Sequence, residues 1–141
     1  MKNNKISNLK IKGEAHIYAA IAKADGEVSG IEKARAPYLG GKAQKVFDIF
    51  KAKDRKADTI KNEIKSVLSD DVYAGWTALM HLDEGVALLN KAMKKGDYSV
   101  RITVNKHIEA LKELALLGNY DIRESRFLQK VEEQLTGLRE S

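Results

Sequence analysis

Residues 14–32 read EAHIYAAIAKADGEVSGIE, and this stretch decides the fold class. Ile17, Ile21 and Ala24 recur on one face at the 3.6-residue period of an amphipathic helix. Gly26 follows them, in the position where a glycine commonly ends a helix. The stretch therefore predicts a helix that closes into a tight corner.

The first predicted helix runs from about Glu14 to Asp25, and a capping box follows it. The Ser29 hydroxyl is expected to accept a hydrogen bond from the N–H three residues on, while Glu32 reaches back to the serine amide. A second helix is therefore predicted to start at Ser29. We expect it to be short, because Pro37 disrupts a helix interior and two glycines follow.

The same glycine-punctuated pattern continues to the C-terminus and predicts helices only. The further predicted helices are Lys42–Lys53, a segment from Asp54 or Asp58 to about Ser69, Val72–Lys95, Ser99–Gly118 and Asp121–Gly137. Val72–Lys95 is apolar on most sides and is predicted to be the central helix, with Trp76 and Met80 in the core and Gly75 and Gly85 at close helix crossings. Val100–Val104 alone would suit a strand, but its surroundings favour a helix.

The chain of 141 residues is therefore predicted to be one compact all-α bundle of about seven helices, spanning 1–141, with 1–12 a loosely ordered N-terminal segment. It contains no cysteine, which excludes disulfides, thiolate nucleophiles and cysteine zinc sites. No export signal or transmembrane segment is visible in it, so a cytoplasmic protein is expected. The net charge of +5 is spread among acids, which predicts no specific nucleic-acid binding.

A second corner near the C-terminus repeats the first. Gly118, Asn119, Tyr120, Asp121 and Glu124 match the first corner, with glycine on glycine, apolar residue on apolar residue, cap on cap and glutamate on glutamate. A glycine that ends one helix and a capping box that starts the next form a complete helix-to-helix corner. Two such corners, one near each end of the domain, are a distinctive arrangement.

The phrase from Ala24 to Ser29 with Glu32, echoed by the second corner, resembles the tellurite-resistance TerB-like family. The resemblance extends to Lys45–Asp48 and implies a TerB-like helical fold. It also implies a non-catalytic interaction or sensing module linked to tellurite resistance, phage defence or stress response. Protein partners, including a membrane-associated complex, are expected on the same ground.

The resemblance further implies that acidic residues of the two corners form a cation-binding surface. The matching residues here are Asp25, Glu27, Glu32, Asp121 and Glu124. Leu117 stands where the family has an aspartate, so any bound calcium or magnesium is expected to be weakly held. The same side chains also fit structural roles, because Asp25 suits an Asx turn and the two glutamates suit capping boxes.

Other chemical sites find little support in the sequence. An EF-hand that ended at Glu32 would place Ile21 and Lys23 at ligand positions, and neither side chain binds calcium. His16, His81 and His107 are far apart in sequence and are expected to be ordinary packed residues. A metal-dependent hydrolase that uses the acidic corners is the alternative function, although no base or nucleophile is evident for it.

Overall fold

The structure is a computed structural model that describes residues 2–24, 30–44, 55–117 and 122–140. The elements are α1 Lys2–Ala22, α2 Gly30–Gln44, α3 Arg55–Ser69, a 3-10 turn Asp71–Tyr73, α4 Ala78–Lys94, α5 Ser99–Leu116 and α6 Ile122–Glu140. Every regular element in these ranges is helical, which confirms the all-α prediction. They hold six α-helices, and most of the predicted helix Lys42–Lys53 lies outside the described residues. None of the described helices is long and apolar enough to cross a bilayer.

Helix α1 is the centre of the bundle and packs against each of the other five α-helices. Its Ile17, Tyr18 and Ile21 are at most 2% exposed. The prediction that Val72–Lys95 is the central helix is therefore wrong. The predicted start near Glu14 is also wrong, because α1 begins at Lys2.

Helices α1 and α4 touch backbone to backbone where Gly13 crosses Gly85. A Cβ atom built on Gly85 would lie 2.8 Å from the Gly13 carbonyl oxygen and 2.7 Å from Ile17 Cδ1. A Cβ atom on Gly13 would in turn lie 2.9 Å from the Gly85 carbonyl oxygen. The expected close helix crossing at Gly85 is confirmed. It is possible only because both residues at the crossing are glycine.

Helix α2 continues through Pro37, so the prediction of a short second helix is wrong. A proline inside a helix costs about 3 kcal/mol. Burial of Ala36 and Leu39, at most 1% exposed, offsets this cost by packing α2 onto its neighbours. Gly40 is a packing position rather than a stop, because a Cβ there would collide with the end of the Ile64 side chain.

The predicted helix Val72–Lys95 is two elements. Asp70 caps the 3-10 turn by accepting from the Val72 amide at 2.9 Å, and Thr77 caps α4 by accepting from the Met80 amide at 3.2 Å. Each of these two side chains accepts a hydrogen bond from a backbone N–H group, so each caps the start of a separate element. Gly75 lies in open space rather than at a crossing.

The C-terminus of α4 and the N-terminus of α5 are each determined by the residues next to them in sequence. Gly96 has a φ of +100° just after α4, the left-handed conformation in which a glycine commonly ends a helix. The predicted cap of α5, Ser99, is instead its first helical residue, and the Asp97 carboxylate accepts the Ser99 amide at 3.2 Å.

We predict that Gly85→Ala lowers the free energy of unfolding by about 1–3 kcal/mol, the usual cost of forcing extra atoms into a packed contact. The matched control is Gly137→Ala, because Gly137 is also inside a helix but has nothing within 4 Å of its Cβ position. That change should stabilise the helix by about 0.5–1 kcal/mol. Urea unfolding measures both, and equal effects would contradict the close crossing.

Candidate functional site

A cleft of about 810 Å3 lies beside the C-terminal end of α1. It is lined by Lys23, Ala24, Lys33, Phe127 and most of residues 68–79. These residues come from α1, α2, the end of α3, the 3-10 turn, the start of α4 and α6. A concave site where several elements meet is the usual place for a binding function.

Lys23 fastens one wall of the cleft to α1. Its Nζ donates to the carbonyl oxygens of Tyr73 at 2.8 Å and Trp76 at 3.3 Å, and lies 3.0 Å from His81 Nε2. An ammonium group has three N–H bonds and no acceptor, so these three partners use its full donor capacity. Lys23 therefore holds residues 73–76 in place. It does not offer a free amine to the cleft.

Two histidines behind this wall face each other. His16 Nδ1 lies 2.9 Å from His81 Nδ1, and both residues are at most 3% exposed. Because Lys23 donates to His81 Nε2, a neutral His81 keeps its proton on Nδ1 and donates it to His16 Nδ1. His16 then carries its own proton on Nε2. A directed chain of hydrogen bonds thus runs from Lys23 through His81 to His16.

Aromatic rings close over this chain. His16 stacks on Trp76 with ring centroids 5.5 Å apart, and the Tyr73 ring meets His16 edge-on at 4.9 Å. Tyr73 and Trp76 also meet edge-on at 4.9 Å. Edge-to-face and stacked pairs at these distances are favourable beyond simple burial. Trp76 is half-buried and faces both the histidines and the cleft, which corrects its prediction as a core residue.

The interior position fixes the histidines in the neutral form. Burial first, and then the charges of Lys23 and Lys12, lower the pKa of His16 to about 4. Burial, followed by Lys23 and His16, lowers the pKa of His81 to about 3. Burial also lowers the pKa of Lys23. A protonated imidazole between a lysine and a second histidine would lack an anionic partner, so the chain is stable only in its neutral form.

Residues 66–90, which include the part of the lining between 68 and 79, have a distinct character in this basic protein. This stretch holds four acids, Asp70, Asp71, Asp83 and Glu84, and no lysine or arginine. Burial first, then the nearby carboxylates of Asp70, Glu63 and Glu84, raise the pKa of Tyr73. Large apolar side chains of the same stretch are exposed: Leu79, which lines the cleft, at 44%, and Val72 and Met80, which do not line it, at 70% and 44%. Met80 was predicted in the core, and this prediction is wrong.

The five acidic residues predicted to bind a metal lie outside what the structure describes. Asp25, Glu27 and Asp121 fall between the described ranges, and Glu32 and Glu124 belong to α2 and α6 without a described side chain. The metal site therefore stays a prediction. Among the described residues, no group of three or more His, Asp or Glu side chains is arranged to hold a metal ion.

The histidine pair is the functional feature that sequence reasoning missed. His16 and Lys23 are seven residues apart, two helical turns, and so share a face of α1. His81 follows the Thr77 cap by four residues and therefore lies at the start of α4. The shared face of the first pair was readable, but the contact between the two helices depends on the glycine crossing.

No protein-family model, curated protein or solved structure matches this chain. The fold and the cleft are therefore interpreted from their own geometry.

We predict that acid destabilises the protein through the histidine pair. Both folded-state pKa values lie below the ordinary value of 6.5, so an unfolded chain binds protons that the folded chain does not. The contribution of the two histidines to the free energy of unfolding should be constant well above pH 6.5 and fall by at most about 1.4 kcal/mol per pH unit for each histidine as pH drops toward 4. Urea unfolding across this range measures the slope.

The matched variant is His81→Gln, which keeps a polar side chain but does not titrate. Its unfolding free energy should vary less with pH between 6.5 and 5 than that of the unmodified protein. Parallel pH profiles for the two proteins would contradict a neutral His81 in the fold.

Proposed function

We propose that the protein is a non-catalytic interaction module of the TerB-like type, working in the cytoplasm, and that the cleft binds a segment of a protein partner. Two residues in or next to the motifs that bear the family resemblance line the cleft. Ala24 is the first residue of the first motif, and Phe127 follows the second corner by one helical turn. A role in tellurite resistance or stress response follows from that resemblance.

The observation that most supports binding is that the polar and apolar side chains of the cleft have different roles. The ammonium group of Lys23 is the most distinctive polar group of the cleft, and it donates its hydrogen bonds to the cleft's own wall. Leu79 remains 44% exposed, and Trp76 and Phe127 are half-buried. A wall that is fixed in position and presents open apolar side chains suits binding, because little ordering remains to be done when a partner docks.

Charge favours a basic partner segment. Asp70 and Asp71 are exposed at the cleft, in the stretch 66–90 that contains no lysine or arginine. Lys33 lies among the cleft residues from α2, so the cationic part of a partner should be directed toward the two aspartates. Complementary charge sets the orientation and rate of association, while burial of apolar side chains supplies affinity. We infer a partner segment that alternates large apolar residues with lysine or arginine.

We predict that an amphipathic leucine–lysine peptide binds the cleft and changes the fluorescence of Trp76, the chain's single tryptophan. Leu79→Asp should weaken binding at least tenfold, about 1.4 kcal/mol, by placing a charge in the apolar contact. Ile102→Asp is the matched control, because Ile102 on α5 is 57% exposed and does not line the cleft. It should change affinity by less than about twofold.

A peptide with glutamate in place of lysine tests the charge assignment. It should bind more weakly than the lysine peptide, and Asp71→Lys should reverse the order of the two. Saturable binding that is equally impaired by Leu79→Asp and Ile102→Asp would place the contact elsewhere and refute the cleft as the binding site.

A divalent cation is the second part of the proposal. Asp25, Glu27, Asp121 and Glu124 are expected to converge from the two corners, where mutual repulsion favours a hard oxygen-binding ion. Millimolar calcium, magnesium or manganese should then raise the melting temperature, because a ligand of the native state stabilises it by mass action.

Asp25→Asn should remove this cation response, whereas Glu133→Gln, a change at an exposed position of α6, should leave it intact. A well-folded sample whose melting temperature is unchanged by all three ions would leave the acidic corners as structural caps.

A further inference from the structure

A second polar cluster is enclosed in the core, away from the cleft. Its centre is Glu14 Oε2, which lies 2.8 Å from His107 Nε2, 3.4 Å from Lys10 Nζ and 3.4 Å from Thr103 Oγ1. On the far side of the imidazole, His107 Nδ1 lies 2.7 Å from the Tyr18 hydroxyl. All five side chains are at most 5% exposed. One carboxylate oxygen therefore takes every described contact of this buried group.

The other oxygen, Glu14 Oε1, is buried and has no hydrogen-bond partner among the described residues, and the buried His107 Nε2 makes only its 2.8 Å ion-pair contact with Oε2. Burial by itself raises the pKa of Glu14, but His107 and Lys10 outweigh it by charge and hydrogen bonding and lower the pKa to about 2. The carboxylate is thus ionised and needs donors at both oxygens. A buried charged oxygen without one is among the costliest defects in a protein interior.

A small cavity adjoins this cluster. It measures about 10 Å3, and Glu14, Tyr18 and His107 form part of its lining. Val104 and Leu89 contribute to the apolar remainder. This volume is at the lower limit for one water molecule. The polar lining also provides the minimum of two hydrogen-bonding groups that a buried water needs.

The charges of the residues around the cavity determine which kind of small molecule or ion fits inside it. A small cation would meet Lys10 and His107 close by, and an anion would meet the Glu14 carboxylate. Tyr18 adds a neutral hydroxyl, and burial together with Glu14 raises the pKa of this phenol so that it keeps its proton. A neutral molecule with two O–H donors and two lone pairs satisfies such a lining best.

We propose that this cavity is a binding site for a single internal water molecule, which donates one hydrogen bond to Glu14 Oε1 and contacts the Tyr18 hydroxyl. The water joins α1 to α5 through the Glu14–His107–Tyr18 cluster. It completes the solvation of the Glu14 carboxylate, which is buried inside the bundle.

A crystal structure at a resolution that shows ordered water tests the site directly. We expect one density peak about 2.5–3.0 Å from Glu14 Oε1. In solution, nuclear Overhauser contacts should link a long-lived water to the Val104 methyl groups. A cavity without density and without such contacts would overturn the proposal.

Val104→Ile provides an independent arm, because the added methylene group fills the cavity. If the cavity holds water, the substitution expels it, removes the Overhauser contacts and lowers the melting temperature. Val67→Ile is the control for crowding, since Val67 is 2% exposed on α3 and does not line the cavity. Val104→Ile should lower the melting temperature more than Val67→Ile does. A rise for Val104→Ile would indicate a dry cavity and contradict the water site.

Discussion

The close contact of α1 with α4 at Gly13 and Gly85 is the constraint on which the rest of the structure depends. Two helices whose backbones touch are fixed in both distance and register, because no side chain lies between them to adjust. His16 lies one turn beyond Gly13 on α1, and His81 lies one turn before Gly85 on α4. The crossing therefore determines that the two imidazoles meet at 2.9 Å.

The polar side chains of α1 near this crossing make contacts on two sides of the helix. Glu14 and Tyr18 meet α5 inside the bundle, whereas His16 and Lys23 meet the corner that leads into α4. Both sets consist of charged or polar groups in an otherwise apolar interior. Such groups are costly unless paired, so their arrangement restricts how the neighbouring helices can pack. Helix α1 therefore connects the polar cluster inside the bundle with the segment that shapes the cleft.

The lysine and histidine chain has a direct bearing on the proposed interaction. Residues 73–76 contain one turn of irregular backbone, which would ordinarily be among the more adaptable parts of a helical protein. Lys23 holds two carbonyl groups of this segment, and the Trp76 ring is stacked on His16. A partner would therefore meet a surface that is already ordered. Affinity would then depend on the apolar side chains at the rim.

Periodicity and glycine punctuation predicted the helical class, the end of α3 and the end of α4, because these features depend on residues next to each other in sequence. They failed where tertiary packing competes with local preference. Pro37 is tolerated because its neighbours are buried, and the region around Gly75 divides into a turn and a helix because Asp70 and Thr77 both cap.

The candidate site was predictable only in fragments. The seven-residue spacing of His16 and Lys23 was sufficient to place them on one side of α1, although this shared side was not among the predictions. The sequence could not show that His81 would lie against them, since this contact is set by a helix crossing between residues far apart in the chain. The acidic corners that the sequence singled out are a separate matter, because their side chains lie outside the described residues.

A neutral, directed chain of hydrogen bonds from Lys23 through His81 to His16 fixes the cleft wall. Nitrogen-15 NMR of the imidazole rings near neutral pH tests it most directly. The account predicts a proton on Nδ1 of His81, a bare Nδ1 and a protonated Nε2 on His16, and a scalar coupling across the hydrogen bond between the two Nδ1 atoms. Two rings that both carry the proton on Nε2 with no such coupling, or a doubly protonated ring in either residue, would contradict it.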